Sequence, residues 1–196
     1  MKRATDPEAW HRPIRLPEEN YRGSRWYFVT LCTHERSEYF CDRPTAEWLL
    51  RLLRDESRQN CFAVRAFCLM PDHLHLLLQG ASLNADLLQF IGTFKKKSTH
   101  RFWLRNRKDL WQESFYDHIL RDEDTPANVA WYIWLNPIRA GLTKKPEDYP
   151  FAGPFMKGWN AGQSPKGTWT PPKRAKAVDR HAIEEAGMKA SATGKK

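Results

Sequence analysis

The sequence predicts a single α+β domain in which an antiparallel sheet carries helices on one face. Stretches rich in β-branched and aromatic residues alternate with stretches of helical period. The order is β-α-β-β-α-β, and a Pro71-Asp72 turn joins the two middle strands directly. This order is typical of the ferredoxin-like, split βαβ fold, and one more helix follows it.

The strand patterns are short and the helix patterns longer. Strands are expected at residues 26–33, 62–69, 73–79 and, with a weaker pattern, 111–120. The first helix is expected at residues 45–59, where apolar residues repeat with a helical period. The second is expected to start from a cap at Asn84 or Asp86 and to end near Arg105.

The last helix has start and stop signals of its own. Thr125 is a good N-cap, Pro126 suits the first turn, and Gly141 is a plausible stop. Pro137 interrupts this segment, because proline lacks a backbone donor and disfavours α geometry at Asn136. We therefore expect the helix to bend or end there.

Composition divides the chain into three parts. Residues 1–20 are rich in proline and predict an extended arm, and residues 21–156 predict the folded domain. Residues 157–196 are basic, rich in Gly, Pro, Lys and Ala, and predict a mobile tail. Trp159 and Trp169 in that tail could dock on the domain or on a ligand.

The sequence argues against a membrane protein, a secreted protein and a standard zinc protein. No apolar run approaches 18 residues, so we expect no membrane helix. The N-terminus has no apolar signal region, and the four cysteines form no CxxC pair, which favours reduced thiols in the cytoplasm. A zinc site from Cys61, Cys68, His73 and His75 would match no standard spacing.

The net charge of +9 points to a polyanionic partner. Residues 157–196 hold nine Lys/Arg and three Asp/Glu, a net +6, so residues 1–156 carry 9 − 6 = +3. A local run argues better, since residues 94–108 contain no acidic residue. Its basic members are the candidate DNA-binding residues: Lys95, Lys96, Lys97, Arg101, Arg105, Arg107 and Lys108. A solvated helix face remains the alternative.

The pair His73 and His75 stands on the third predicted strand. Side chains alternate along a strand, so both imidazoles point to one face while Leu74, Leu76 and Leu78 point to the other. The spacing lets both rings reach one divalent ion. Two structural histidines are the alternative, because short spacings also occur by chance.

Tyr132 and Asn136 are four residues apart on the last predicted helix and so share a face. A half-buried core tyrosine and a polar cap at a helix end are the alternative. His118, on the fourth predicted strand, is expected to be a structural histidine.

Taken together, these motifs resemble a known family. The string Met70-Pro71-Asp72-His73-Leu74-His75, a late helical Tyr132 and the run from Asn136 to Gly141 (Asn-Pro-Ile-Arg-Ala-Gly) are similar to HUH-type single-tyrosine transposases. The closer resemblance is to REP-associated tyrosine transposases, relatives of the IS200/IS605 enzymes. It covers roughly residues 21–155.

The resemblance implies a ferredoxin-like domain that nicks single-stranded DNA at palindromic repeat hairpins. Tyr132 matches the nucleophile, which would form a 5′-phosphotyrosine and leave a free 3′-OH. His73, His75 and Asn136 match the ligands of a Mg²⁺ or Mn²⁺ ion, although other branches use Gln or Glu as the third ligand. Tyr116 and Tyr149 are fallback nucleophiles.

Two further hypotheses remain. The same fold could be a non-catalytic module that binds nucleic-acid hairpins, or a hydrolytic metal nuclease that uses water. We expect a cytoplasmic protein that reaches the nucleoid through DNA and has no membrane partner. A monomer with its site in cis and a dimer that exchanges the tyrosine helix both remain possible.

Overall fold

The computed structural model describes residues 17–154 and 169–172. Most of the expected N-terminal arm and C-terminal tail, including Trp159, lies outside the described residues. The strands are β1 (Trp26–Cys32), β2 (Phe62–Met70), β3 (His73–Gly80), β4 (Tyr116–Ile119) and β5 (Ala152–Gly153). The helices are α1 (Arg43–Gln59), α2 (Leu87–Asn106), α3 (Pro126–Trp134) and α4 (Asn136–Arg139).

The strands form one antiparallel sheet in the order β4-β1-β3-β2-β5. The predicted order of elements and the ferredoxin-like fold are therefore confirmed. Strand β3 lies in the middle of the sheet, between β1 and β2. Strand β5 was not predicted, because two residues are too few to give a periodic pattern.

Helices α1 and α2 cover one face of the sheet, which we call the first face. Leu74, Leu76 and Leu78 of β3 point to it and belong to the same buried cluster as Leu49 of α1 and Phe90 of α2. Helix α3 covers the opposite, second face, where its Ile133 and Trp134 pack with Phe28 and Leu77. The two predicted helices thus share one face, and the last helix takes the other.

The hairpin between β2 and β3 has the predicted two-residue turn. Met70 pairs with His73 across the turn at Pro71-Asp72. Because the leucines of β3 fill the first face, His73 and His75 point to the second face.

Strand β4 is shorter than predicted. Only Tyr116–Ile119 pair with β1, whereas Trp111 makes an isolated bridge to Thr33. The Trp111 side chain is buried, and its indole Nε1 donates to Ser98 Oγ of α2 at 2.8 Å. Trp111 is thus anchored to the helix layer, and the strand ladder starts later.

The expected interruption at Pro137 takes the form of two separate helices. Helix α3 ends at Trp134, and Pro137 lies in the first turn of α4. Gly141 follows α4 with a φ of 70°, as a helix stop requires. Thr125 holds the N-cap position of α3 without a capping hydrogen bond from its side chain.

Within residues 17–154 and 169–172, no helix is both long enough and apolar enough to cross a membrane.

We predict that Gly80→Ala destabilises the fold, whereas Gly92→Ala does not. A Cβ on Gly80 would lie 1.9 Å from the backbone oxygen of Gly23, so the backbone would have to move. A Cβ on Gly92 meets nothing within 4 Å, and alanine should stabilise that helix by about 0.5–1 kcal/mol. Urea unfolding should give a loss of about 1–3 kcal/mol for Gly80→Ala. Equal effects of the two variants would contradict the close approach.

We also predict a loss of stability above pH 10 that depends on Tyr27. Burial raises the pKa of this phenol to about 12, whereas in the unfolded chain it titrates near 10. The contribution of the protonated phenol to the free energy of unfolding is complete below pH 10 and is lost as the pH rises to 12. Between pH 10 and pH 12 the wild type should lose about 2–3 kcal/mol more of its free energy of unfolding than Tyr27→Phe does. Urea unfolding at a series of pH values measures this difference. Equal losses in the two proteins would contradict the prediction.

Candidate active site

The two histidines of β3 meet at one point on the second face. The Nε2 atoms of His73 and His75 lie 3.1 Å apart, and the ring centroids 4.6 Å apart. His75 is almost completely buried, and the side chain of His73 is 15% exposed. The strand alternation thus brings both rings together as predicted.

The other nitrogen of each ring has a partner that orients it. Nδ1 of His73 donates to Asp72 Oδ1 at 2.5 Å, and Nδ1 of His75 forms a hydrogen bond with Thr30 Oγ1 at 2.8 Å. Because a neutral imidazole has one donor and one acceptor, the contact with Asp72 leaves Nε2 of His73 as an acceptor, and Nε2 of His75 approaches it to 3.1 Å. Metal-binding histidines commonly have such partners.

Both rings are neutral at neutral pH. Burial lowers the pKa of His73, and its contact with Asp72 only partly opposes this. Burial lowers the pKa of His75 well below its usual value, and the charges of His73, Arg139 and Arg36 lower it further. Neutral imidazole is the form that binds metal ions.

Tyr132 reaches the same place from α3. Its ring makes an edge contact with the His75 ring at 5.9 Å between centroids and with Phe28 at 5.7 Å. Burial raises the pKa of the phenol, and the charge of Arg139 opposes that rise. The hydroxyl is therefore protonated at neutral pH and needs help to become a nucleophile. Tyrosine and histidines come together within one chain.

Asn136 begins α4 and lies between Tyr132 and His75. Its Nδ2 donates to the carbonyl oxygen of Tyr132 at 2.9 Å and to that of Ile133 at 3.2 Å. A hydrogen bond between the Asn136 side chain and the His75 ring raises the pKa of His75. The amide oxygen of Asn136 thus lies beside the His75 ring.

These donors fit a divalent ion. Two nitrogens at a right angle and about 2.1 Å from one ion would be about 3 Å apart, close to the separation of the two Nε2 atoms. Two imidazoles and an amide oxygen suit a borderline or hard divalent metal. Among the described residues, no group of three or more His, Cys, Asp or Glu could hold a metal ion, so the alternative zinc site is not formed. Cys68 instead contacts the Met70 sulfur at 3.6 Å, and burial raises the pKa of its thiol.

Arg139 is a site residue that sequence reasoning missed. Its guanidinium carbon lies 4.5 Å from the centroid of the Tyr132 ring, and its Nη2 donates to the Tyr132 carbonyl oxygen. The Asn-Pro-Ile-Arg string contained the residue but gave no reason to place it over the tyrosine.

Trp169 also lies at this site. Its ring centroid is 5.2 Å from that of Tyr132 and 5.1 Å from that of Phe28, and its Nε1 donates to Asp124 Oδ1 at 2.6 Å. The other oxygen of Asp124 contacts His118 Nε2 at 2.7 Å. Trp169 was expected to dock on the domain or on a ligand, and in this structure it docks on the domain. His118 is held in a structural pair with Asp124, as expected. No local pattern could have indicated this contact between residues 45 positions apart.

The basic run belongs to the other side of the sheet. It lies on α2, whose buried residues pack on the first face. Lys95 Nζ donates to two backbone oxygens, and Lys97 pairs with Glu56 at 2.6 Å. Phe102 is a core residue, whereas Trp103 is 44% exposed beneath the guanidinium of Arg107. The candidate DNA-binding residues are therefore not brought to the histidines, and their role stays a prediction.

The fallback nucleophiles have other contacts. Tyr149 donates its hydroxyl to the Leu69 carbonyl oxygen at 2.8 Å. Tyr116 lies on β4 with its ring against Phe28. Tyr132 is the tyrosine whose ring contacts His75 in this structure.

Comparison with known proteins gives consistent matches. The model of the family described as "Transposase IS200 like" matches residues 23–134. The chain is 25% identical over 131 residues to the REP-associated tyrosine transposase of Escherichia coli K12, covering 67% of this chain and 76% of the relative. It is 28% identical over 133 residues to the ISDra2 transposase TnpA of Deinococcus radiodurans, covering 61% and 93%.

A solved structure is similar in fold. It is the REP-associated tyrosine transposase bound to a REP hairpin, with a TM-score of 0.57 and 24% identity. The match covers 67% of this chain and 76% of the other.

Proposed function

Because the chain belongs to the IS200-like transposase family, we propose that it cuts and rejoins single-stranded DNA through a covalent bond to Tyr132. Its relatives are named transposases, a class of enzymes that cleave and rejoin DNA. The proposal concerns the mechanism and the substrate of this chain.

One observation carries the proposal. The Tyr132 ring lies against His75, whose Nε2 is 3.1 Å from that of His73. The tyrosine of α3 that we propose as the nucleophile thus lies beside the two histidines of β3 that we propose as metal ligands, on the second face.

The proposed reaction is a transesterification. The Tyr132 oxygen attacks the scissile phosphorus, a Tyr–O–P bond forms, and the bond from phosphorus to the 3′-oxygen breaks. The phenol gives up a proton, and the leaving 3′-oxygen takes one up, so the products are a 5′-phosphotyrosine and a 3′-OH. The covalent bond keeps the ester for rejoining, which hydrolysis would lose.

His73, His75 and Asn136 would hold a Mg²⁺ or Mn²⁺ ion at this site. Such an ion polarises the phosphate and offsets developing negative charge. Asp72 and Thr30 keep the histidine nitrogens directed at the ion position. Phe28, Trp169 and the body of Tyr132 form an apolar wall that limits water near the nucleophile.

For the substrate we propose palindromic, REP-like hairpins. The support is the likeness to proteins that are named for REP elements, one of them solved with a REP hairpin. The exposed side of α2, with Lys96, Arg107 and Trp103, offers charge and a stacking surface for DNA at a distance from the cleavage site. A cytoplasmic location fits this role and stays a prediction.

The first test is covalent trapping. Wild-type protein is incubated with Mn²⁺ and single-stranded hairpin DNA from repeats beside its own gene, labelled on the 3′ side of the cut, and run on a denaturing gel. We expect a protein–DNA band that Tyr132→Phe and EDTA abolish. Tyr39→Phe is the matched control, because this half-buried tyrosine packs against Phe102 on the first face and should keep full activity.

Other outcomes distinguish the alternatives. Cleavage without an adduct would point to water as the nucleophile. Hairpin binding without cleavage, unchanged in Tyr132→Phe and His73→Ala, would favour a non-catalytic binding module.

The metal site has a test that does not depend on activity. Asp72→Asn should weaken Mn²⁺ binding by about 10–100-fold, because the carboxylate no longer orients His73. Calorimetric titration of Mn²⁺ measures this directly. Asp55→Asn, on the exposed side of α1, is the control for charge and should bind as the wild type does. Equal affinities of both variants would remove the assigned role of Asp72.

A further inference from the structure

Arg139 makes two contacts with the proposed nucleophile. Its guanidinium covers the face of the Tyr132 ring at 4.5 Å, and its Nη2 donates to the Tyr132 backbone oxygen. These contacts cross the break between α3 and α4. They fix the ring from above and leave most N–H donors of the guanidinium for another partner.

Within residues 17–154 and 169–172, no carboxylate forms an ion pair with Arg139. The comparison with Arg36 is informative, because both cations act on His75, yet Arg36 pairs with Asp72 at 2.8 Å. Of these two cations, Arg139 is the one without an anionic partner in the part of the chain that the structure describes.

The guanidinium is open to a substrate. Arg139 is exposed to solvent, whereas the Tyr132 ring beneath it is half-buried. The charge of Arg139 lowers the pKa of Tyr132, His75 and Cys68, and its guanidinium carbon lies 4.5 Å from the centroid of the Tyr132 ring. A planar, permanently charged fork beside a nucleophile matches the oxygens of a phosphate.

We propose that Arg139 is a further catalytic residue, whose guanidinium binds a non-bridging oxygen of the scissile phosphate while it holds the Tyr132 ring. The inference rests on the proposed function and deepens it. In the step described above, the phosphodiester carries one negative charge, and a second develops as the phenolic oxygen attacks. Arg139 therefore pairs more strongly with the transition state than with bound DNA, and this difference accelerates the reaction.

The experiment measures the rate of adduct formation in a single turnover at saturating hairpin DNA. Arg139→Gln should lower the rate constant by about 10²–10³-fold. The Kd for the hairpin should change by no more than about threefold, since one phosphate contact among several is lost. Arg139→Lys should recover at least about tenfold, because it keeps the charge but not the fork. Arg58→Gln, exposed on α1 across the sheet, removes the same charge and should react as the wild type does.

A second substrate distinguishes the loss of a charge interaction with the phosphate from a general folding defect of the variant. A methylphosphonate at the scissile position replaces a charged oxygen with a methyl group. It should slow the wild type and Arg139→Lys, and slow Arg139→Gln much less, because the partner of the lost charge is already absent. If Arg139→Gln fails to fold, Arg139→Met takes its place as the uncharged variant.

Three results would overturn the inference. A rate within about threefold of the wild type for Arg139→Gln would exclude the role and leave the proposed function standing. Equal losses in the Gln and Lys variants, with fully additive methylphosphonate effects, would reduce Arg139 to a structural clamp. Absence of any adduct with the wild type would instead overturn the proposed function, and the inference with it.

Discussion

Burial of β3 on both faces is the constraint on which the site depends. The strand lies between β1 and β2, with leucines packed under α1 and α2 and histidines under α3. Two imidazoles in such a place would be costly without partners, because buried polar atoms lose their hydration. Asp72 and Thr30 supply those partners from the turn and the neighbouring strand. The same contacts that make burial tolerable also direct both Nε2 atoms at one point.

The second constraint is the break at Pro137. In an uninterrupted helix, Asn136 and Arg139 would lie on the same face as Tyr132, one and two turns further along the axis, because they follow it by four and seven residues. The chain instead ends α3 at Trp134 and restarts at Asn136. The restart brings Asn136 beside His75 and lets Arg139 fold back over Tyr132. The short helix α4 thus places two polar groups around one tyrosine.

Much of this site could be predicted because its signals are local. Alternation along β3 puts His73 and His75 on one face, and the motif resemblance adds Tyr132 and Asn136. The contact of Trp169 could not be predicted, since it joins residues 45 positions apart. The break at Pro137 could be predicted, but not the angle between α3 and α4 that sets the contact of Arg139 with Tyr132. The fourth strand was predicted too long because tryptophan is common in strands, whereas Trp111 here is anchored to Ser98 of α2. Composition and period describe what a residue prefers, whereas packing decides which neighbour it meets.

The length of the turn at Pro71-Asp72 has a consequence for how this family can change. Successive residues of a strand face opposite sides, so a slip of β3 by one position would exchange its two rows. Leucines would then take the positions of the two histidines on the second face, and imidazoles would lie in the apolar core under α1 and α2. A single inserted codon in the loop would create that risk unless the extra residue bulged outward, since β1 also holds β3 from the other edge. Insertions should therefore be tolerated in the connections around the sheet and rejected at this hairpin.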